Sequence, residues 1–197
     1  MTRGSLHVVG HDADNKPANA EDRHPEDLVS DTAAVRNTLR VTTCDSDETL
    51  AAASSLFNQY RHHYGQPPDA DGRTLDWLID MVRSNMLTVY TASVGSPVDA
   101  PPVGLATAHA IPASLVMGRS WQLRDLFVLP DVRRHGAGAA LISAVREAAL
   151  DAGAIRLSLV TEPDNIAALG LYRALGFRPV EGLASLSLDL GSRDVME

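Results

Sequence analysis

From Thr38 onward the chain switches between two hydrophobic periods, and each switch marks a predicted element. TLRVTT (38–43) alternates apolar and polar positions and predicts a strand. Asp45, followed three residues later by Glu48, predicts a capping box that opens an Ala/Leu-rich helix running to about Arg61. HHYGQPPDADG (62–72) breaks that helix with Gly and Pro. A second helix follows, with Leu75, Leu78, Ile79 and Met81 or Val82 on one face, and ends near Ser84. MLTVYTASV (86–94) is a strand, GSPVDAPP (95–102) a loop, and VGLATAHAIP (103–112) and WQLRDLFVL (121–129) two further strands. GAGAALISAVREAALDAGA (136–154) has the helical period and is ended by Gly153, IRLSLVT (155–161) is another strand, and DNIAALGLYRALG (164–176) is a helix opened by Asp164 and closed by Gly176. ASLSLDL (184–190) alternates again and predicts a last strand. The order predicts an α/β fold around one mixed sheet.

Residues 1–36 show neither period. HDADNKPANAEDRHPEDLVSD (11–31) is polar and carries two prolines, which predicts a flexible arm ahead of one domain spanning 37–197. A chain of 197 residues is long enough for one domain with a sizeable core.

Composition narrows the class. With 45% hydrophobic and 21% charged residues, no apolar run of about 18 residues and no signal-peptide segment, the expectation is a soluble cytoplasmic protein with no membrane partner. The net charge of −8 disfavours nucleic acid and mildly favours a cationic partner. The single cysteine, Cys44, excludes an internal disulfide; without Cys/His ligand spacing around it, no metal is expected and Cys44 reads as a small buried apolar residue.

The chemistry concentrates in RRHGAGAAL (133–141), a Gly/Ala-rich turn between a strand and a helix. Such a turn leaves backbone N–H groups uncovered and the helix start adds its own, so an anion such as a phosphate is the expected guest. A nucleotide-binding P-loop needs Gly-Lys-Ser/Thr at the helix start, and the one lysine of the chain is Lys16. The dinucleotide fingerprint would begin at Gly136, but its third small position falls on Leu141, where close helix packing is denied.

The segment resembles the pyrophosphate-binding motif Arg/Gln-x-x-Gly-x-Gly/Ala of the GNAT superfamily of acyl-CoA-dependent N-acyltransferases, through Arg133, Gly136 and Gly138. LRDLFVLPDVRRHGAGAALI supplies the family's strand, Val128-x-Pro130 step and helix in order. NIAALGLYRALGF matches its second run through Asn165, Ala168, Leu171, Tyr172, Gly176 and Phe177. The resemblance covers residues 38–190 by element order and is tightest over 121–180.

It implies a mixed, mostly antiparallel sheet with a splayed pair of parallel strands and about four helices, and acetyl-CoA as acyl donor. The backbone of Arg134, His135, Gly136, Ala137, Gly138 and Ala139 would meet the pyrophosphate, with added charge from Arg133 and Arg134 and the His135 side chain left in solvent. Backbone groups near Phe127 and Val128 would pair with the pantetheine arm and polarise the thioester carbonyl. Asn165 would touch the cofactor, or instead make a local helix-start hydrogen bond. Tyr172, two helical turns beyond Asn165, would protonate the leaving thiolate, its alternative being a core tyrosine.

An amine nucleophile must lose a proton, and Asp125 is the candidate to receive it; strand alternation sets it on the side of Phe127. A salt bridge to Arg124 or another arginine is its competing role. His109 and Glu162 are the weaker candidates. His62, His63 and Tyr64, between the first two helices, are candidates for acceptor specificity. The resulting expectation is a direct-transfer N-acetyltransferase acting on a small primary amine, cationic or polyamine-like, and compatible with a homodimer. Acetylation of a protein N-terminus or lysine, and a non-catalytic acyl-CoA-binding module, are the rival readings.

Overall fold

The computed structural model describes residues 39–95 and 100–188. The predicted arm, residues 96–99 of the 95–102 loop and the end of the last predicted strand lie outside them. Five strands form one sheet in sequence order: β1 (Leu39–Cys44), β2 (Thr88–Val94), β3 (Pro102–Ala113), β4 (Gly118–Val128) and β5 (Leu157–Leu159). The first three pairings are antiparallel and β4–β5 is parallel. Four helices accompany them: α1 (Asp47–His63), α2 (Thr74–Arg83), α3 (Ala137–Asp151) and α4 (Ile166–Ala174).

Strand alternation feeds two cores. Val89 and Leu105 pack with Leu50, Leu56, Phe57 and Leu78 of α1 and α2, whereas their neighbours Tyr90 and Ala106 pack with Leu141, Ile142 and Val145 of α3. Cys44 is 1% exposed within the first of these cores, as its sequence context suggests.

Local chemistry shifts several predicted boundaries. The capping box of α1 belongs to Ser46 and Thr49, one residue beyond the expected pair: Thr49 N–H donates to Ser46 Oγ at 3.3 Å and Ser46 N–H donates to Thr49 Oγ1 at 3.2 Å. The helix also runs past Arg61, so His62 and His63 lie in its last turn and Tyr64 caps it. Asn165, not Asp164, caps α4, its Oδ1 accepting from Ala168 N–H at 3.2 Å. The predicted last strand does not form in its described part. Leu186 and Leu188 are 91% and 82% exposed, because the alternation supplies an apolar face but no neighbouring edge takes up its backbone groups.

Two irregularities of β4 shape the site. Thr107 stands opposite Asp125 while Ala108 stands opposite Leu123, so Arg124 is the extra residue of a β-bulge. On the other side β4 pairs with β5 only from Trp121 to Leu123. Beyond the bulge the two parallel strands part, which is why only three residues of the predicted strand 155–161 are paired.

Candidate active site

The loop joining β4 to α3 turns through two left-handed residues, Arg134 at φ 69° and Gly136 at φ 89°. The helix has no side-chain cap, and its first backbone bond runs from Ala140 N–H to the Gly136 carbonyl at 2.9 Å. The N–H groups of residues 134–139 therefore have no protein acceptor among the described residues. This is a cradle of backbone donors at a helix start, electrostatically suited to an anion. Gly138 also permits a close approach, since a Cβ there would lie 3.1 Å from Leu171 Cδ2 of α4.

Arg134 and His135 are exposed beside the cradle. Arg133 instead folds back onto β4, donating from Nε to the Val128 carbonyl at 2.9 Å with its guanidinium 6.0 Å from the Phe127 ring centroid. Leu129 N–H donates to the Val103 carbonyl of β3 at 2.9 Å, so antiparallel alternation turns the backbone of Phe127 toward β3 and that of Leu126 and Val128 toward the open edge. Of the expected pair, Val128 offers backbone groups to a guest strand. Phe127 contributes its ring, which packs against Tyr60 and His63.

A cavity of about 420 Å³ opens where β4 and β5 part, lined among others by Tyr60, Tyr64, Arg124, Asp125, Glu162, Asn165 and Tyr172. Asp125 sits at its centre of charge chemistry. Tyr60 of α1 donates its hydroxyl to Asp125 Oδ1 at 2.8 Å, and Thr107 of β3 donates its hydroxyl to Oδ2. The salt bridge weighed for Asp125 does not form among the described residues; two hydroxyls hold the carboxylate instead. Burial and the Asp125 charge push the Tyr60 phenol well above its ordinary value, so it remains a donor.

Tyr172 shares the cavity and packs by its ring on Phe177, with centroids 5.9 Å apart. Its hydroxyl has no protein partner among the described residues. Burial, with smaller contributions from Tyr64 and Glu162, raises its pKa and keeps it protonated. Asn165 uses Oδ1 for the helix cap and still lines the cavity, so the local bond weighed for it is present without removing it from the site.

The remaining candidates separate. Glu162 lines the cavity. His109 does not, and burial followed by the nearby Arg124 charge lowers its pKa. His62 is paired with Asp71 at 2.9 Å. His63 packs on Phe127 and Tyr64, whereas Tyr64 itself reaches the cavity wall. Sequence reasoning missed Tyr60 and Thr107. Tyr60 lies four residues before Tyr64 on one helix, a readable spacing, but nothing local pairs either residue with Asp125. Among the described residues no group of three or more His, Cys, Asp or Glu side chains could hold a metal ion, and no helix is long and apolar enough to cross a membrane.

The sequence and the fold have parallels among known proteins. A model described as the acetyltransferase (GNAT) family matches residues 50–177. The chain is 32% identical over 143 residues to the uncharacterized N-acetyltransferase YhfO of Bacillus subtilis (strain 168), covering 73% of this chain and 93% of that protein. Among solved structures, a probable acetyltransferase superposes with a TM-score of 0.70 at 24% identity, covering 78% of this chain and 99% of the other. An aminoglycoside N-acetyltransferase in complex with CoA superposes with a TM-score of 0.62 at 21% identity, over 77% of this chain and 95% of the other.

Proposed function

Because the chain belongs to the GNAT family of acetyltransferases, we propose that it moves an acetyl group from acetyl-CoA directly onto the primary amine of a small, cationic molecule bound at Asp125. The observation that carries this reading is the Asp125 carboxylate, fixed by the Tyr60 and Thr107 hydroxyls in the cavity that also holds Tyr172.

The residues divide the work. Backbone N–H groups of 134–139 take the pyrophosphate, and the exposed Arg134 adds charge. The open-edge backbone of Leu126 and Val128 accepts the pantetheine arm, with Arg133 releasing the Val128 carbonyl as the arm arrives, and an open-edge N–H polarises the thioester oxygen. Asn165 and Tyr172 face the same cavity from α4.

An alkyl amine with a pKa of about 10 arrives as an ammonium. Asp125 attracts and orients it, its own oxygens held in place by the Tyr60 and Thr107 hydroxyls. The proton passes by way of Asp125 to water at the cavity mouth. The freed nitrogen attacks the thioester carbon, the C–N bond forms and the C–S bond breaks. The departing thiolate takes a proton through the Tyr172 hydroxyl; the ammonium nitrogen gives up two protons in all, one to water before attack and a second as the amide forms, and the second balances the proton gained by sulfur.

The test is a panel of amines assayed by free-thiol release from acetyl-CoA. Amine-dependent release, fastest with cationic amines and slow with acidic amino acids, is the expected result. Binding of acetyl-CoA with no amine-dependent release would make the chain a non-catalytic acyl-CoA-binding module.

A further inference from the structure

Resting on the assignment of Asp125 as the amine-binding carboxylate, we propose that Arg124 binds a carboxylate of the acceptor, so that the substrate class is an amino acid with a side-chain amine and not a plain diamine or polyamine. Two arginines line the cavity. Arg61 is committed, with Asp71 at 2.6 Å and the Pro67 carbonyl at 3.3 Å. Arg124 is exposed and its side chain makes no hydrogen bond or ion pair with another described residue, although Asp125 and Glu162 line the same cavity. Asp125 is occupied by Tyr60 and Thr107 instead. The cavity thus keeps a guanidinium fork and carboxylates apart, a charge pattern complementary to a molecule that carries an ammonium at one end and a carboxylate at the other.

The bulge explains why an arginine is there. Leu123 before it and Leu126 after it both pack toward α3, and Arg124 is the extra residue between them. In a regular strand of this length Arg124 would share a face with Leu126; the bulge frees it from that alternation and turns it to the cavity. Arg124 is also remote from the phosphate cradle. It lies four residues along β4 from Val128, about 13 Å at ~3.3 Å per residue, on the side away from the loop that begins at Arg133. Its charge is therefore placed for the acceptor and not for the donor's phosphates. His109, the neighbouring titratable group on β3, is held toward its neutral form by burial and by Arg124 itself, so it adds no competing charge.

Matched acceptors that differ only by the carboxylate test this: L-lysine against cadaverine, and L-ornithine against putrescine. In the parent protein kcat/KM for the amino acid should exceed that for its diamine by tenfold or more. Arg124→Gln should bring the ratio close to one, mainly by raising KM for the amino acid, and Arg124→Lys should recover part of it. The acetyl-CoA thermal shift should stay unchanged in both variants, because the residue is exposed and outside the cradle. A parent ratio near one, an equal loss for both members of a pair in Arg124→Gln, or transfer only to amines outside both pairs would each overturn the proposal while leaving the transferase reading intact. Failure of every amine to release CoA would instead overturn that reading, and this proposal with it.

Discussion

The two ends of the splayed β4–β5 cleft are built by different means. The proposed donor end is made of backbone: consecutive N–H groups, two left-handed residues and a helix start, all within residues 133–140. The proposed acceptor end is made of side chains collected from across the chain, with Tyr60 from α1, Thr107 from β3, Asp125 from β4 and Tyr172 from α4. A backbone cradle tolerates changes in its side chains as long as its dihedral angles survive. A side-chain pocket changes its guest with each substitution. One fold can therefore keep its donor while its acceptor varies, and the acceptor of this chain must be read from its own pocket.

The sharpest break of this contrast falls on Tyr172, which lines the cavity and is proposed to protonate the leaving thiolate. Tyr172→Phe keeps the ring on Phe177 and strands no partner, since the hydroxyl has none among the described residues. We expect kcat to fall by ~10²–10⁴-fold with the melting temperature and the acetyl-CoA KM nearly constant. Parent-like turnover combined with a melting temperature several degrees lower would make the hydroxyl structural.

The donor end breaks next. Acetyl-CoA at about 100 times its Kd should add ~2.7 kcal/mol of stability to the parent protein. Gly136→Asp should abolish that shift, because it places an acidic side chain in the cradle and strains a residue at φ 89°. The strain also lowers the baseline, so the quantity to compare is the shift on adding ligand. A preserved shift would move the cofactor out of the 134–139 loop.

The smallest effect belongs to Tyr60. Tyr60→Phe retains packing on Phe57 and Phe127 but removes one donor from Asp125. The amine KM should rise roughly two- to tenfold, as for one lost hydrogen bond of ~0.5–1.5 kcal/mol. Because the folded pKa of Tyr60 is raised, its contribution to stability is present below about pH 10 and is lost as pH rises through the folded value. Alkaline melting curves should accordingly fall less steeply in Tyr60→Phe than in the parent; parallel curves would contradict the part-buried phenol–carboxylate pair.

The same contrast explains what was legible in the sequence. The cradle is local, so Gly136, Gly138 and the strand before them could be read from one short stretch, through its Gly/Ala-rich turn and its resemblance to the GNAT motif. The order of helices and strands through α4 was also legible, since their apolar positions recur with a regular period. The Arg124 bulge was not, because it exists only in the register of β3 against β4, and the three-residue length of β5 follows from it. Asp125 could be picked out as a carboxylate on the right face, whereas its hydroxyl partners, 65 and 18 residues away in sequence, could not. The segment 184–190 shows the opposite failure: it has the alternation of a strand, but its described residues find no edge to pair with.

The central claim is that the donor and acceptor ends work separately, with Asp125 belonging to the acceptor. Asp125→Asn, assayed for amine kcat/KM and for the acetyl-CoA thermal shift in the same preparation, tests it most directly. The account predicts a loss in amine kcat/KM of about ten- to hundredfold, as for a charged hydrogen bond of ~1.5–3 kcal/mol, with the thermal shift unchanged. Unchanged amine kinetics, or loss of the acetyl-CoA shift, would contradict it.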